Sequence, residues 1–157
     1  MENNLVNDAR ELWVVYAWWS CVLVLKMNAL TWFTGRIRVA RQVIHSEEDR
    51  MWLKGPVVIL CPNGGGHEDV DRIRNAHRHD LETVLPYLLI TPIWLSTSPL
   101  FPVARAILPS FAIVSVSYTI LHMKIVNLHD YCKTILSVLQ YSVLIYMSAM
   151  SVVHYAF

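Results

Sequence analysis

An all-α, integral membrane four-helix bundle is the fold class this sequence predicts, and three observations predict it. Of its 157 residues, 55% are hydrophobic and only 16% charged, where a soluble domain usually carries about 25% charged residues. Mean hydropathy is +0.39. Four apolar stretches, Leu12–Phe33, Leu81–Phe101, Pro102–Met123 and Thr134–Phe157, each reach the roughly 20 residues that a helix needs to cross a bilayer. They put helices at about residues 10–35, 69–97, 101–124 and 131–155, in a single domain over residues 1–157.

The first stretch is too long for the apolar core of a cleaved signal, about 7–15 residues. Its start, Met-Glu-Asn-Asn, is acidic and polar where a signal wants basic residues, so it is expected to remain as the first helix. Trp13 and Trp32 suit the interfacial belts, while Trp18 and Trp19 sit deep enough to pack. Lys26 is a cation inside this apolar run. It either snorkels, faces a protein neighbour or meets an anion. Thr34-Gly35 opens the first loop, which carries Arg36, Arg38, Arg41 and Arg50 and a connector, Pro62 to His67. No phosphate cradle is expected there, because no strand precedes a Gly-x-x-x-x-Gly-Lys pattern.

The second helix is the informative one. Wound at about 100° per residue, Asp71, Asn75, Arg78, Glu82 and Pro86 fall on one stripe, with Arg72 and His79 along its edge. A polar stripe carried into an apolar segment is costly unless other polar groups or a ligand meet it. Lys26 lies ten residues below Arg36 and Glu82 eleven below Asp71, each about 15 Å down at the helical rise. The two are therefore expected at one level. Pro86 cannot donate to the carbonyl of Glu82, so a bound amine could find carboxylate and carbonyl together. A structural ion pair and an ordinary proline kink account for the same residues.

Pro99 and Pro102 punctuate the turn into the third helix, Pro109 is expected to kink it, and Asn127 to Lys133 forms the last loop. Basic residues concentrate in the loops after the first and third helices. The positive-inside rule then puts both loops in the cytoplasm and both termini on the other side. A net charge of +1 argues against nucleic acid as a partner. No metal is expected: His77 and His79 stand about 200° apart on a helix. Cys21, Cys61 and Cys132 are scattered, which suits neither a metal site nor a disulfide framework, and no Gly-x-Ser-x-Gly elbow occurs.

The run Asp69-Val-Asp-Arg-Ile-Arg-Asn-Ala-His-Arg-His-Asp-Leu-Glu-Thr-Val-Leu-Pro resembles the signature Glu-Arg-x-x-Arg-Ala-His-x-Asn-Asp-x-Glu-x-x-x-Pro of the MAPEG family. These are membrane proteins of eicosanoid and glutathione metabolism, and the similarity is to the branch of microsomal glutathione transferases and microsomal prostaglandin E synthase. Lys26, Thr34-Gly35-x-x-Arg38 and Glu48-Asp49 extend it. The resemblance implies a homotrimer of four-helix subunits, with glutathione bound between neighbours on the cytoplasmic side. By position it implies cofactor contacts at Arg38, Arg72, Arg78, His79, Glu82, Tyr118 and His122, with His77 in support and Tyr131 and Asp49 as catalytic candidates. Membrane lipids and a lipophilic small-molecule substrate are the implied partners. One subunit alone is expected to offer too few partners for Arg38, Arg72, Arg78, Asp71, Glu82 and Lys26.

The chain also departs from the family. Asn75 stands where an arginine precedes Ala-His, with Arg74 displaced by one position, and His79 replaces an asparagine. In the third helix, Arg-x-x-His-Thr-x-x-Tyr becomes Ser115-Val-Ser-Tyr118-Thr119-Ile-Leu-His122. Tyr131 stands where the family has the arginine expected to face the thiol. Two functions follow: a transferase or peroxidase with an altered half-site, or a non-catalytic trimer that binds glutathione or lipid.

Overall fold

A computed structural model describes residues 2–44, 50–51, 59–60, 67–124 and 129–157. Four helices dominate it: α1 Glu2–Arg41, α2 Glu68–Ser96, α3 Phe101–His122 and α4 Asp130–Ala156. α1 and α4 each pack against both α2 and α3. Two-residue strands, β1 Val43–Ile44 and β2 Ile59–Leu60, pair in parallel with Val43 opposite Ile59, a detail the sequence reading places in loop.

The chain is a multi-pass membrane protein. Among the described residues, Val6–Arg41, Phe101–His122 and Tyr131–Ala156 are long and apolar enough to cross a bilayer. α2 is not among them, which corrects the expectation of four such spans. Its 29 residues give ample length, but charge fills its first half.

α1 runs 40 residues, about 60 Å and twice the hydrocarbon thickness, so its ends project from the bilayer. It also continues past Thr34-Gly35, which corrects the expected loop start. A mid-helix glycine costs about 1 kcal/mol, too little to stop a run followed by good helix formers. Arg38 and Arg41 therefore lie in its last turn, where cations complement the helix dipole. Gln42, at φ 54°, ends it.

α2 starts where His67 Nδ1 accepts the Asp69 N–H at 3.2 Å, with Glu68, Asp69 and Asp71 in the first turn complementing the dipole. It runs unbroken through Pro86 and Pro92. Pro92 cannot bond the carbonyl of Leu88, and in a bilayer that carbonyl needs another donor. Tyr16 of α1 supplies it, its hydroxyl 2.9 Å from Leu88 O. The apolar core lies in the half of the bundle away from the basic loops. There Tyr87 stacks on Phe111 with centroids 4.0 Å apart and planes 2° apart, and Trp94, Leu108 and Met147 are fully buried.

Candidate functional site

The charged half of α2 presents two faces. Toward α1 it shares a cavity of about 530 Å³ lined by Thr31, Thr34, Gly35, Arg38, Arg74, His77, Arg78 and Leu81. This brings together the expected Arg38 and Arg78. It adds Arg74, so the arginine displaced by one position still enters this groove. Arg78 is 80% exposed and its Nε donates to Glu82 Oε1 at 3.1 Å. Glu82 is thus paired along its own helix, four residues on, and not with Lys26 of α1, which bonds Asp80 and Ser115.

Toward α3 and α4, the same stretch builds a column of rings. His79 lies flat on Tyr118, centroids 3.9 Å apart and planes 27° apart. Tyr118 in turn lies 5.6 Å from His122 at 13°. His79 Nε2 meets the side-chain Oε1 of Gln140 at 2.8 Å. The expected His79, Tyr118 and His122 therefore do meet, on the side of α2 away from the arginine groove. Relative to the family pattern Tyr and His have exchanged places in α3, and their rings still stack.

Between these faces lies the ion pair, and it corrects the sequence reading. Lys26 meets Asp80, not Glu82: its Nζ is 2.8 Å from Asp80 Oδ1, 2.6 Å from Ser115 Oγ and 3.3 Å from Ser115 O. All three ammonium donors are used, and the Asp80 side chain is fully buried. The depth argument holds to within a turn, but residues 80 and 82 point about 200° apart, and α1 lies on the Asp80 side. A signal for Asp80 was present: it shares the i, i+3, i+4 stripe of Ile73, Ala76, Val84 and Tyr87, all buried. Ser115 stands where the family has an arginine, which would set a second cation against Lys26.

The remaining expected residues are dispersed. Arg72 bonds Glu68 and Asp69 in the first turn of α2. With Lys26, Arg72 and Arg78 all paired within one subunit, and Asp71 also engaged, the expectation of too few partners does not hold for these groups. Tyr131 is 74% exposed and stacks on His129, centroids 4.9 Å apart. Asp49, the Glu48 beside it, Cys61 and residues 62–66 of the connector lie outside the described residues. Gln140, fully buried, was not singled out in the sequence. It shares a buried stripe with Leu144, Met147 and Ser151, where an amide among core residues is the clue.

The MAPEG family profile matches residues 16–153. Prostaglandin E synthase of Rattus norvegicus is 31% identical over 87 residues, 55% of this chain and 54% of that protein. That of Homo sapiens is 34% identical over 71 residues, 45% of this chain and 43% of that protein. That of Mus musculus is 29% identical over 87 residues, again 55% and 54%. These matches span about half the length of the curated relatives.

Proposed function

The chain belongs to the MAPEG family, and from that premise we propose that it is a membrane-bound, glutathione-dependent transferase or peroxidase acting on lipophilic electrophiles or lipid peroxides. One observation carries the reading: the α1–α2 groove gathers Arg38, Arg74 and Arg78. Guanidinium forks match carboxylates, of which glutathione has two, and Glu82 at the groove's edge answers its ammonium. Bound glutathione supplies a thiol able to displace a leaving group from an electrophilic carbon or to cleave a peroxide bond.

The site is formed between subunits of a homotrimer. Within one subunit the arginine groove and the ring column lie on different sides of α2, so a ligand using both must touch two copies. The basic loops face the cytoplasm of an intracellular membrane.

Purified protein in detergent is expected to bind glutathione in calorimetry and to form thioether with a generic aromatic electrophile. Arg38→Ala or Arg78→Ala should weaken binding roughly tenfold or more, as for a charge-assisted hydrogen bond. Wild-type protein that neither binds nor conjugates overturns the proposal.

A second reading, a non-catalytic trimer that binds glutathione or lipid, draws on Tyr131, a phenol where the family has an arginine. A thiol ionises poorly at neutral pH without a nearby cation, its free pKa being about 8.5. Ultraviolet thiolate absorbance against pH is therefore expected to show the bound thiol near its free value, with Tyr131→Arg raising turnover. A bound thiol titrating well below neutrality would mean that another cation serves it, and the non-catalytic reading would fall.

A further inference from the structure

We propose that Gln140 is a positioning residue for the glutathione site, acting through His79 to hold the His79–Tyr118–His122 column in place. The inference rests on the proposed function, because the column's role is that of a ligand-facing wall. Gln140 is fully buried on α4, and its Oε1 lies 2.8 Å from His79 Nε2. With its oxygen facing the ring, the amide only accepts, and we assign the proton of His79 to Nε2, in one tautomer. The ring so fixed is the platform on which Tyr118 stacks at 3.9 Å, and Tyr118 carries His122 in turn. One hydrogen bond from α4 therefore sets the plane of three rings on α2 and α3.

Stability does not explain an amide here. Gln140 Nε2 is buried with no hydrogen-bond partner among the described residues, and an unmet buried donor is destabilising. Methionine would fill nearly the same volume and remove the unmet donor, but it would leave buried His79 Nε2 without its partner, so what the amide adds is the acceptor for His79. His122 has a buried Nδ1 with no partner among the described residues while its residue is part-exposed, so the column's outer end keeps hydrogen-bonding capacity for a ligand. Tyr141 closes the side of the column, its ring edge-on to His79 at 6.1 Å.

Three forms of the intact protein in detergent test this: wild type, Gln140→Met and Gln140→Glu. Nitrogen-15 NMR of labelled histidine, with His79→Asn assigning the signal, reports the tautomer; calorimetry reports glutathione binding. Wild type should show His79 protonated at Nε2. Gln140→Met should shift that population toward Nδ1–H and raise the glutathione Kd about threefold to tenfold, the size of one hydrogen bond, with a melting temperature changed little, because the unmet amide donor leaves together with the acceptor of His79. Gln140→Glu keeps an acceptor and should retain the Nε2 proton and binding within about twofold, the rescue that a merely space-filling role would not produce. If Gln140→Met leaves both tautomer and Kd unmoved while wild type binds, the positioning role is overturned and the proposed function stands. If both variants fail to fold, Gln140 belongs to stability and the proposal also fails. A wild type that binds no glutathione removes the proposed function itself, and the positioning role with it.

Discussion

Lys26, Asp80 and Ser115 show what a single residue does when it is ionised inside a bundle. The ammonium spends each of its three protons on an oxygen of the pair or of Ser115, and little of either charged side chain reaches solvent. Removing one partner of such a pair leaves an uncompensated buried charge and commonly costs about 3–5 kcal/mol, whereas replacing both by apolar groups is often nearly neutral. Asp80→Leu and Lys26→Met are each expected to lower the melting temperature in detergent sharply, and the double variant to recover most of the loss. Losses that simply add would refute the coupling. The same residues mark the limit of what the sequence discloses. That Lys26 lies within the apolar run, and roughly how deep, follows from hydropathy and rise, with an anion among the partners it can meet. Which carboxylate it meets depends on the azimuth of α1 about α2, which only packing sets. Glu82 looked apt because it lies on the polar stripe. Asp80 won because it lies on the buried one.

At the scale of elements, α2 is a helix that ought to be interrupted and is not. Pro86 and Pro92 each remove a backbone donor, yet the helix continues to Ser96, and for Pro92 the compensation is visible in the Tyr16 hydroxyl on Leu88 O. Tyr16→Phe should therefore leave that carbonyl unmet, at a cost of about 1–3 kcal/mol. In a Pro92→Ala background the restored N–H serves Leu88, so the same substitution should cost much less. Equal losses of melting temperature in both backgrounds would show that the phenol does not replace the missing amide. Helix existence and order were legible in hydropathy and, for the charged half of α2, in its polar stripe, and α2 and α3 begin within a residue of the sequence reading. The ends of α1 were not, since a glycine beside a loop-like run of arginines reads as a stop, whereas here the arginines extend the helix to Arg41. The ring column was legible only in part. His79, Tyr118 and His122 follow from the family resemblance, but Gln140 joins them through a contact 61 positions away in the chain, which no local pattern encodes.

At the scale of the whole molecule, one subunit leaves a mixed polar and apolar stripe of α2 uncovered. The outward face of α2 carries Arg78 at 80% and Glu82 at 49% exposure, with Asn75 also exposed, and then Leu85, Leu89 and Ile93 as exposed apolar residues. Apolar residues can face lipid, but an ion pair on the same stripe inside the bilayer is costly. In a lone subunit it would have to snorkel or draw in water. Three copies of α2 around a common axis would cover the apolar part of the stripe with its own equivalents, pairing leucine with leucine, and leave Arg78 and Glu82 at the boundary where the proposed ligand binds. Closed cyclic assembly would leave no copy with an open face. Native mass measurement in mild detergent is expected to give the trimer. Leu85→Glu and Leu89→Arg, which add like charges at the axis without touching the subunit core, should shift it toward monomer. Glutathione binding should fall in step with the trimer fraction, because the proposed site needs the arginine groove of one copy and the ring column of its neighbour. A wild-type protein that is monomeric in every mild detergent would refute the assembly. A monomer that still binds glutathione with wild-type affinity would show instead that one subunit holds the whole site.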